Sequence, residues 1–189
     1  MDALLVSTVA VAIAEIGDKT MLLALFLAAR YRRPWAIVLG IAVATVANHA
    51  VAGWAGAWLA SLASPEVLKW AVVACFAAVA LWTLVPDKLD EDEAPKPSRF
   101  GAFLATTLAF FVVEIGDKTQ VATVVLAAKY EPLWQVVAGT SLGMLLANGP
   151  VVLLGHRYAD RLPLKAARYA AAALFAALAL WVALRGLGS

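Results

Sequence analysis

The chain has 189 residues, of which 63% are apolar and only 15% carry a charge, with a mean hydropathy of +0.84 and a formal net charge of +2. That composition lies outside the range of soluble domains. At ~20 residues per spanning helix the length holds about five to seven crossings and leaves no room for a soluble catalytic domain. The small positive charge sits in loops flanking apolar runs and argues against nucleic-acid binding. A lone Cys75 excludes an internal disulfide and a thiolate metal cluster, and inside its apolar run it reads as a small buried apolar residue.

Taken in chain order, apolar runs fall at residues 4–29, 35–60, 66–85, 102–128, 133–155 and 165–185, each long enough to span. The first opens Met1-Asp2 without a basic leader and is interrupted by Glu15, Asp18 and Lys19, so it reads as a retained span rather than a signal peptide. Residues 86–100 form an extended polar stretch, rich in acid and proline as a solvated linker is. The expected fold is all-α: a polytopic membrane protein of six transmembrane helices, with repeats at 1–85 and 101–189 joined by the linker at 86–100.

A shift of 99 positions lays Glu15-Ile-Gly-Asp-Lys-Thr20 on Glu114-Ile-Gly-Asp-Lys-Thr119, six identical residues in a row. The same shift pairs Ser7 with Thr106, Trp35 with Trp134, Gly40 with Gly139, Phe76 with Phe175 and Trp82 with Trp181. The chain is thus a three-helix unit used twice. Asn48 and Asn148 fall at a shift of 100, so either the second helices slip by one residue or the two are not strict equivalents. Three spans per copy is an odd number, so the second copy enters from the opposite side and the repeats are inverted.

Orientation follows from the basic residues. One side receives Arg30, Arg32, Arg33, Lys88, Lys96, Arg99, Arg157, Arg161, Lys165 and Arg168, the other Lys69, Lys129 and Arg185. The imbalance places the linker in the cytoplasm and both termini outside.

The repeated motif places ionisable groups at mid-span, where each costs about 2.5 to 3.5 kcal/mol. On a straight helix Glu15 and Asp18 are ~60° apart, with Lys19 ~40° to the other side of Glu15, so all three share a face. The same holds for Glu114, Asp117 and Lys118. Such a face turns inward, and inverted symmetry brings both copies to one midplane cavity. Glu15, Asp18, Glu114 and Asp117 then offer hard oxygen ligands suited to manganese, calcium or magnesium, and Lys19 and Lys118 balance charge. Gly17 and Gly116 allow a helix break or a close approach. Thr20 and Thr119 join the site only if the helix distorts there. Gln120 stands where the first copy has Met21 and adds an oxygen donor. The plainer reading, an ion pair within each motif that only holds helices together, explains neither the second acid nor the duplication.

Asn48 and Asn148 read equally as ligands or as interhelical hydrogen-bond donors. His49 reads first as a packed polar residue and His156 as interfacial. Gly53 with Gly56, and Gly139 with Gly143, read as close-packing surfaces, and Trp35, Trp54, Trp58, Trp134 and Tyr158 as interface anchors.

Two copies of Glu-x-Gly-Asp-Lys-Thr in a six-span chain with an acidic central loop resemble the Gdt-type family of cation/proton exchangers, which includes bacterial manganese exporters and Golgi calcium/manganese transporters. The resemblance spans essentially the full length. It implies that Glu15, Gly17, Asp18, Lys19 and Thr20, with Glu114, Gly116, Asp117, Lys118 and Thr119, hold the family's motif positions. It also implies manganese or calcium as cargo, export from the cytosol, and residence in a bacterial inner membrane.

The expected function is therefore a secondary transporter, not an enzyme, that needs no cofactor and exchanges a divalent cation for protons by competition at shared carboxylates. Its partners are the cation, protons and the bilayer, with monomer and homodimer both open. The rivals are a passive cation channel, a membrane assembly factor, and an exporter of small organic cations, which four carboxylates and two lysines would accommodate poorly.

Overall fold

The computed structural model describes residues 3–86, 101–155 and 162–187, and every regular element among them is helical. In chain order these are α1 (Ala3–Glu15), α2 (Lys19–Tyr31), α3 (Pro34–Leu62), α4 (Pro65–Thr83), α5 (Ala102–Glu114), α6 (Lys118–Lys129), α7 (Leu133–Leu154) and α8 (Leu164–Arg185). The acidic linker, His156 and Tyr158 lie outside the described residues. Four helices, α3, α4, α7 and α8, are long and apolar enough to cross a bilayer, whereas α1 and α5 are apolar but shorter.

The apolar runs at 4–29 and 102–128 are each two helices meeting at the motif, where Gly17 and Gly116 allow the expected break. The cause is local. Gly17 and Gly116 adopt φ of +85° and +78°, the left-handed region that glycine enters without steric cost. Asp18 and Asp117 follow in extended conformation as the N-caps of α2 and α6. A Gly-Asp step therefore stops one helix and starts the next. The two strands of the break are tied by Asp18 N–H donating to the Glu15 carbonyl at 3.0 Å and Asp117 N–H to the Glu114 carbonyl at 3.1 Å. Elsewhere the punctuation is conventional: Pro34 and Pro65 open α3 and α4, and the Ser64 hydroxyl accepts from the Val67 N–H.

The halves pack crosswise, with α1 on α7, α5 on α3 and α4 on α8. Glycine makes the first two contacts close. A Cβ at Gly139 would fall 2.5 Å from the Leu4 carbonyl and 2.9 Å from Ser7 Cβ, and one at Gly40 would fall 2.8 Å from both the Phe103 carbonyl and Thr106 Cβ. These are the same contacts displaced by 99 residues. Phe76 and Phe175, also 99 apart, stack on each other with centroids at 6.2 Å, as equivalent residues do beside a two-fold axis.

Polarity is inside out. Ser7, Glu15, Asp18, Thr20, Thr45, Asn48, His49, Glu114, Asp117, Lys118 and Thr119 are buried, while Leu5, Val43, Val51, Leu81, Leu146 and Leu184 are exposed. An apolar exterior around a polar interior is what a lipid solvent selects. Trp35, Trp54, Trp58 and Trp134 are exposed, as interface anchors are. Cys75 corrects the sequence reading: it is exposed on α4 rather than buried, because α4 turns Val72, Phe76 and Val79 inward and leaves position 75 on the outer surface.

The packing of α3 on α6 is more extensive than its counterpart, α7 on α2. Gly53 and Gly56 let α3 lie against α6 so closely that a Cβ at Gly56 would sit 2.2 Å from the Val124 carbonyl, a backbone atom that cannot yield. Gly56→Val is expected to destabilise the protein by about 1 to 3 kcal/mol through overpacking, read as a lower thermal midpoint in detergent.

Candidate metal centre

The two helix breaks face each other, and each brings its motif to the centre of the protein. Oxygen atoms of Glu15, Asp18 and Asp117 lie within 4.8 Å of one another, and all three residues are buried. Two of the acids come from the first copy and one from the second, so neither half completes the cluster alone. Asp18 and Asp117 occupy N-cap positions, yet neither carboxylate caps its helix, and both take part in the central cluster instead.

Lys118 of the second copy lies 2.8 Å from Asp18 of the first. The ion pair thus joins the halves rather than lying within one motif. Lys118 is buried, whereas Lys19 is half-buried, so the two lysines are not equivalent in surroundings. Three carboxylates and one ammonium sum to −2 when all are ionised, a charge that one divalent cation matches.

Both threonines reach the site, and they do so because the helix breaks. Thr20 Oγ1 donates to Glu15 Oε2, a bond that joins the two sides of the α1–α2 interruption. Thr119 Oγ1 donates to Asp117 Oδ2 at 3.1 Å. Gln120 serves the break itself, its Oε1 accepting from the Gly116 N–H at 2.7 Å.

The asparagines hold the motif glutamates of the opposite copy. Asn48 Nδ2 donates to Glu114 Oε2 at 3.3 Å and to the Phe111 carbonyl at 3.0 Å. Asn148 Nδ2 donates to Glu15 Oε2 at 3.3 Å and to the Met144 carbonyl at 3.2 Å. The pattern makes them equivalents across a one-residue slip. Both donate through nitrogen in bonds that join helices, and Asn148 Oδ1 is buried without a hydrogen-bond partner among the described residues.

Glu114 stands apart from the other three acids. Besides Asn48, it accepts from Thr45 Oγ1 at 3.1 Å, and its Oε2 lies 3.9 Å from His49 Nε2. It remains within electrostatic reach of Glu15 and Asp117. Thr45 carries no signal in sequence beyond being a threonine in an apolar run, and only the packing of α3 on α5 reveals it.

The profile of the family described as "Divalent cation/proton antiporter GDT1" matches residues 3–91 and 102–189, nearly the whole chain and once for each copy of the motif. The chain belongs to this family. It is 52% identical over 181 residues to a protein of Vibrio cholerae serotype O1 named "Putative manganese exporter", covering 95% of this chain and 90% of that one. It is 29% identical over 175 residues to the GDT1-like protein sll0615 of Synechocystis, covering 80% and 82% respectively. No solved structure is significantly similar. Membership of this family, with the apolar helices described above, identifies an integral membrane protein of a cation-transporting family.

Proposed function

We propose that the protein exports manganese from the cytoplasm in exchange for protons, with the Glu15, Asp18 and Asp117 carboxylates as the shared binding site. The observation that carries this reading is the convergence of three buried carboxylates from both halves, with one lysine on Asp18. Buried acids without a cation are costly, so each is offset by a metal ion or by protons. Ligands that must lose protons to take a metal release those protons on loading and recover them on unloading, which is the chemistry of exchange.

In this reading each broken pair, α1 with α2 and α5 with α6, crosses the membrane once. The chain then has six crossings in two inverted copies, with both termini outside and the linker inside. The matched contacts at Gly40 and Gly139 and the Phe76–Phe175 stack support that symmetry. A site that needs acids from both copies is disassembled when the copies move apart, so rocking of one half against the other exposes it to each side in turn. The close α3–α6 contact at Gly56 supports a seal on one side. The choice of manganese over calcium is supported by the name of the Vibrio cholerae relative.

The test is flux into proteoliposomes carrying an internal pH reporter, with manganese, calcium and magnesium supplied in turn. Manganese movement is expected to be fastest and to be accompanied by opposite proton movement. Cation flux without proton movement would instead describe a passive channel, and a folded protein that moves no cation would contradict transport altogether.

A further inference from the structure

Resting on that reading, we infer that His49 is a specificity-determining ligand: its imidazole enters the cation's coordination with Glu114 and favours manganese over calcium and magnesium. The side chain is fully buried on α3, and neither Nδ1 nor Nε2 has a hydrogen-bond partner among the described residues. Buried polar groups are normally satisfied, so an imidazole with two orphaned nitrogens calls for a partner that binds during function. Its Nε2 points toward Glu114 Oε2 at 3.9 Å, too long for a hydrogen bond but a separation that a metal ion bridging nitrogen and oxygen can span. Glu114 lies outside the three-acid cluster but within electrostatic reach of Glu15 and Asp117, so the pair stands beside the carboxylate cluster rather than forming an isolated site.

The repeat gives an internal control. The equivalence of Asn48 and Asn148 places Gly149 where His49 would recur, and a Cβ at Gly149 would meet nothing within 4 Å. The fold therefore does not require a large side chain at this position of the three-helix unit. The imidazole is present in one copy only, beside the one motif acid that stands apart from the other three. An all-oxygen site suits calcium and magnesium as well as manganese. One imidazole shifts the balance toward first-row transition ions, which bind nitrogen more strongly than the alkaline earths do.

The experiment is pulsed electron paramagnetic resonance of Mn2+ added to the purified protein, read for modulation by an imidazole nitrogen, in the wild type, His49→Gln and His156→Gln. The chain has only these two histidines. Modulation is expected in the wild type and in His156→Gln and its loss in His49→Gln. A wild-type spectrum without it, or modulation that survives His49→Gln, would overturn the inference, and if His49→Gln fails to fold, modulation retained in His156→Gln still assigns the nitrogen to His49 whereas its loss there overturns the inference. In proteoliposomes, His49→Gln is expected to lower the manganese-to-calcium rate ratio by about tenfold. An unchanged ratio would overturn the inference. If the wild type moves no divalent cation, the transport reading fails and this inference with it, whereas transport by a protein whose bound manganese shows no imidazole sinks this inference alone.

Discussion

Asp117→Asn is expected to abolish manganese exchange while leaving the protein folded. Asp117 is the second copy's only contribution to the three-acid cluster, and asparagine keeps its size and its acceptor for the Thr119 hydroxyl. The substitution changes the cluster's charge from −2 to −1 and removes a ligand that the first copy cannot replace. Loss of a charged partner in a desolvated site costs about 2 to 5 kcal/mol, or roughly thirtyfold or more in affinity. Flux should fall to the level of empty liposomes, with an unchanged elution profile and thermal midpoint. Because Glu114 lies outside the three-acid cluster and meets the cation only together with His49, Glu114→Gln should cost less than Asp117→Asn in the same assay. Four equivalent acids would instead give equal losses.

Lys118→Met is expected to have the largest effect on stability. Lys118 is buried and paired with Asp18 at 2.8 Å, and removing one member of a buried pair typically costs about 3 to 5 kcal/mol, because the other charge is left uncompensated. Three carboxylates would then share one space without the ammonium that pairs with Asp18. The double variant Lys118→Met with Asp18→Asn removes both charges, so its thermal midpoint should recover most of the loss, although its transport should not. Independent effects that merely add would show that the two side chains do not act as a pair. Since Lys118 belongs to one copy and Asp18 to the other, the cycle also measures how strongly the halves are joined at the site.

The membrane class, the repeat and the residues of the motif could all be read from sequence, because composition, a six-residue identity and mid-span charge are properties of the string itself. What the string hid is the path of the backbone between Glu15 and Lys19. A straight helix puts Glu15, Asp18 and Lys19 on one face, whereas the positive φ of Gly17 turns the chain and makes Asp18 an N-cap. The Gly-Asp step was the available signal, since glycine just past one helix and aspartate just before another is the usual stop-and-start pair. That break is also why Thr20 reaches Glu15, a contact that the straight helix forbids.

Other features depend on which copy meets which. The pairing of Lys118 with Asp18 and the crossed bonds of Asn48 to Glu114 and Asn148 to Glu15 need the two copies docked. They show that along the second helices the shift passes from 99 at Gly40 and Gly139 to 100 at Asn48 and Asn148. Cys75 is exposed although its sequence neighbourhood is apolar, because in a membrane chain such a neighbourhood says nothing of whether a side chain faces protein or lipid.

The central claim is that one divalent cation and protons compete for the Glu15, Asp18 and Asp117 carboxylates. It is tested most directly by titrating Mn2+ into the purified protein over a series of pH values. The account predicts one ion per chain, affinity that weakens progressively as the solution is made more acidic, and loss of binding in both Asp18→Asn and Asp117→Asn. Affinity independent of pH, or binding that survives in these variants, would contradict it.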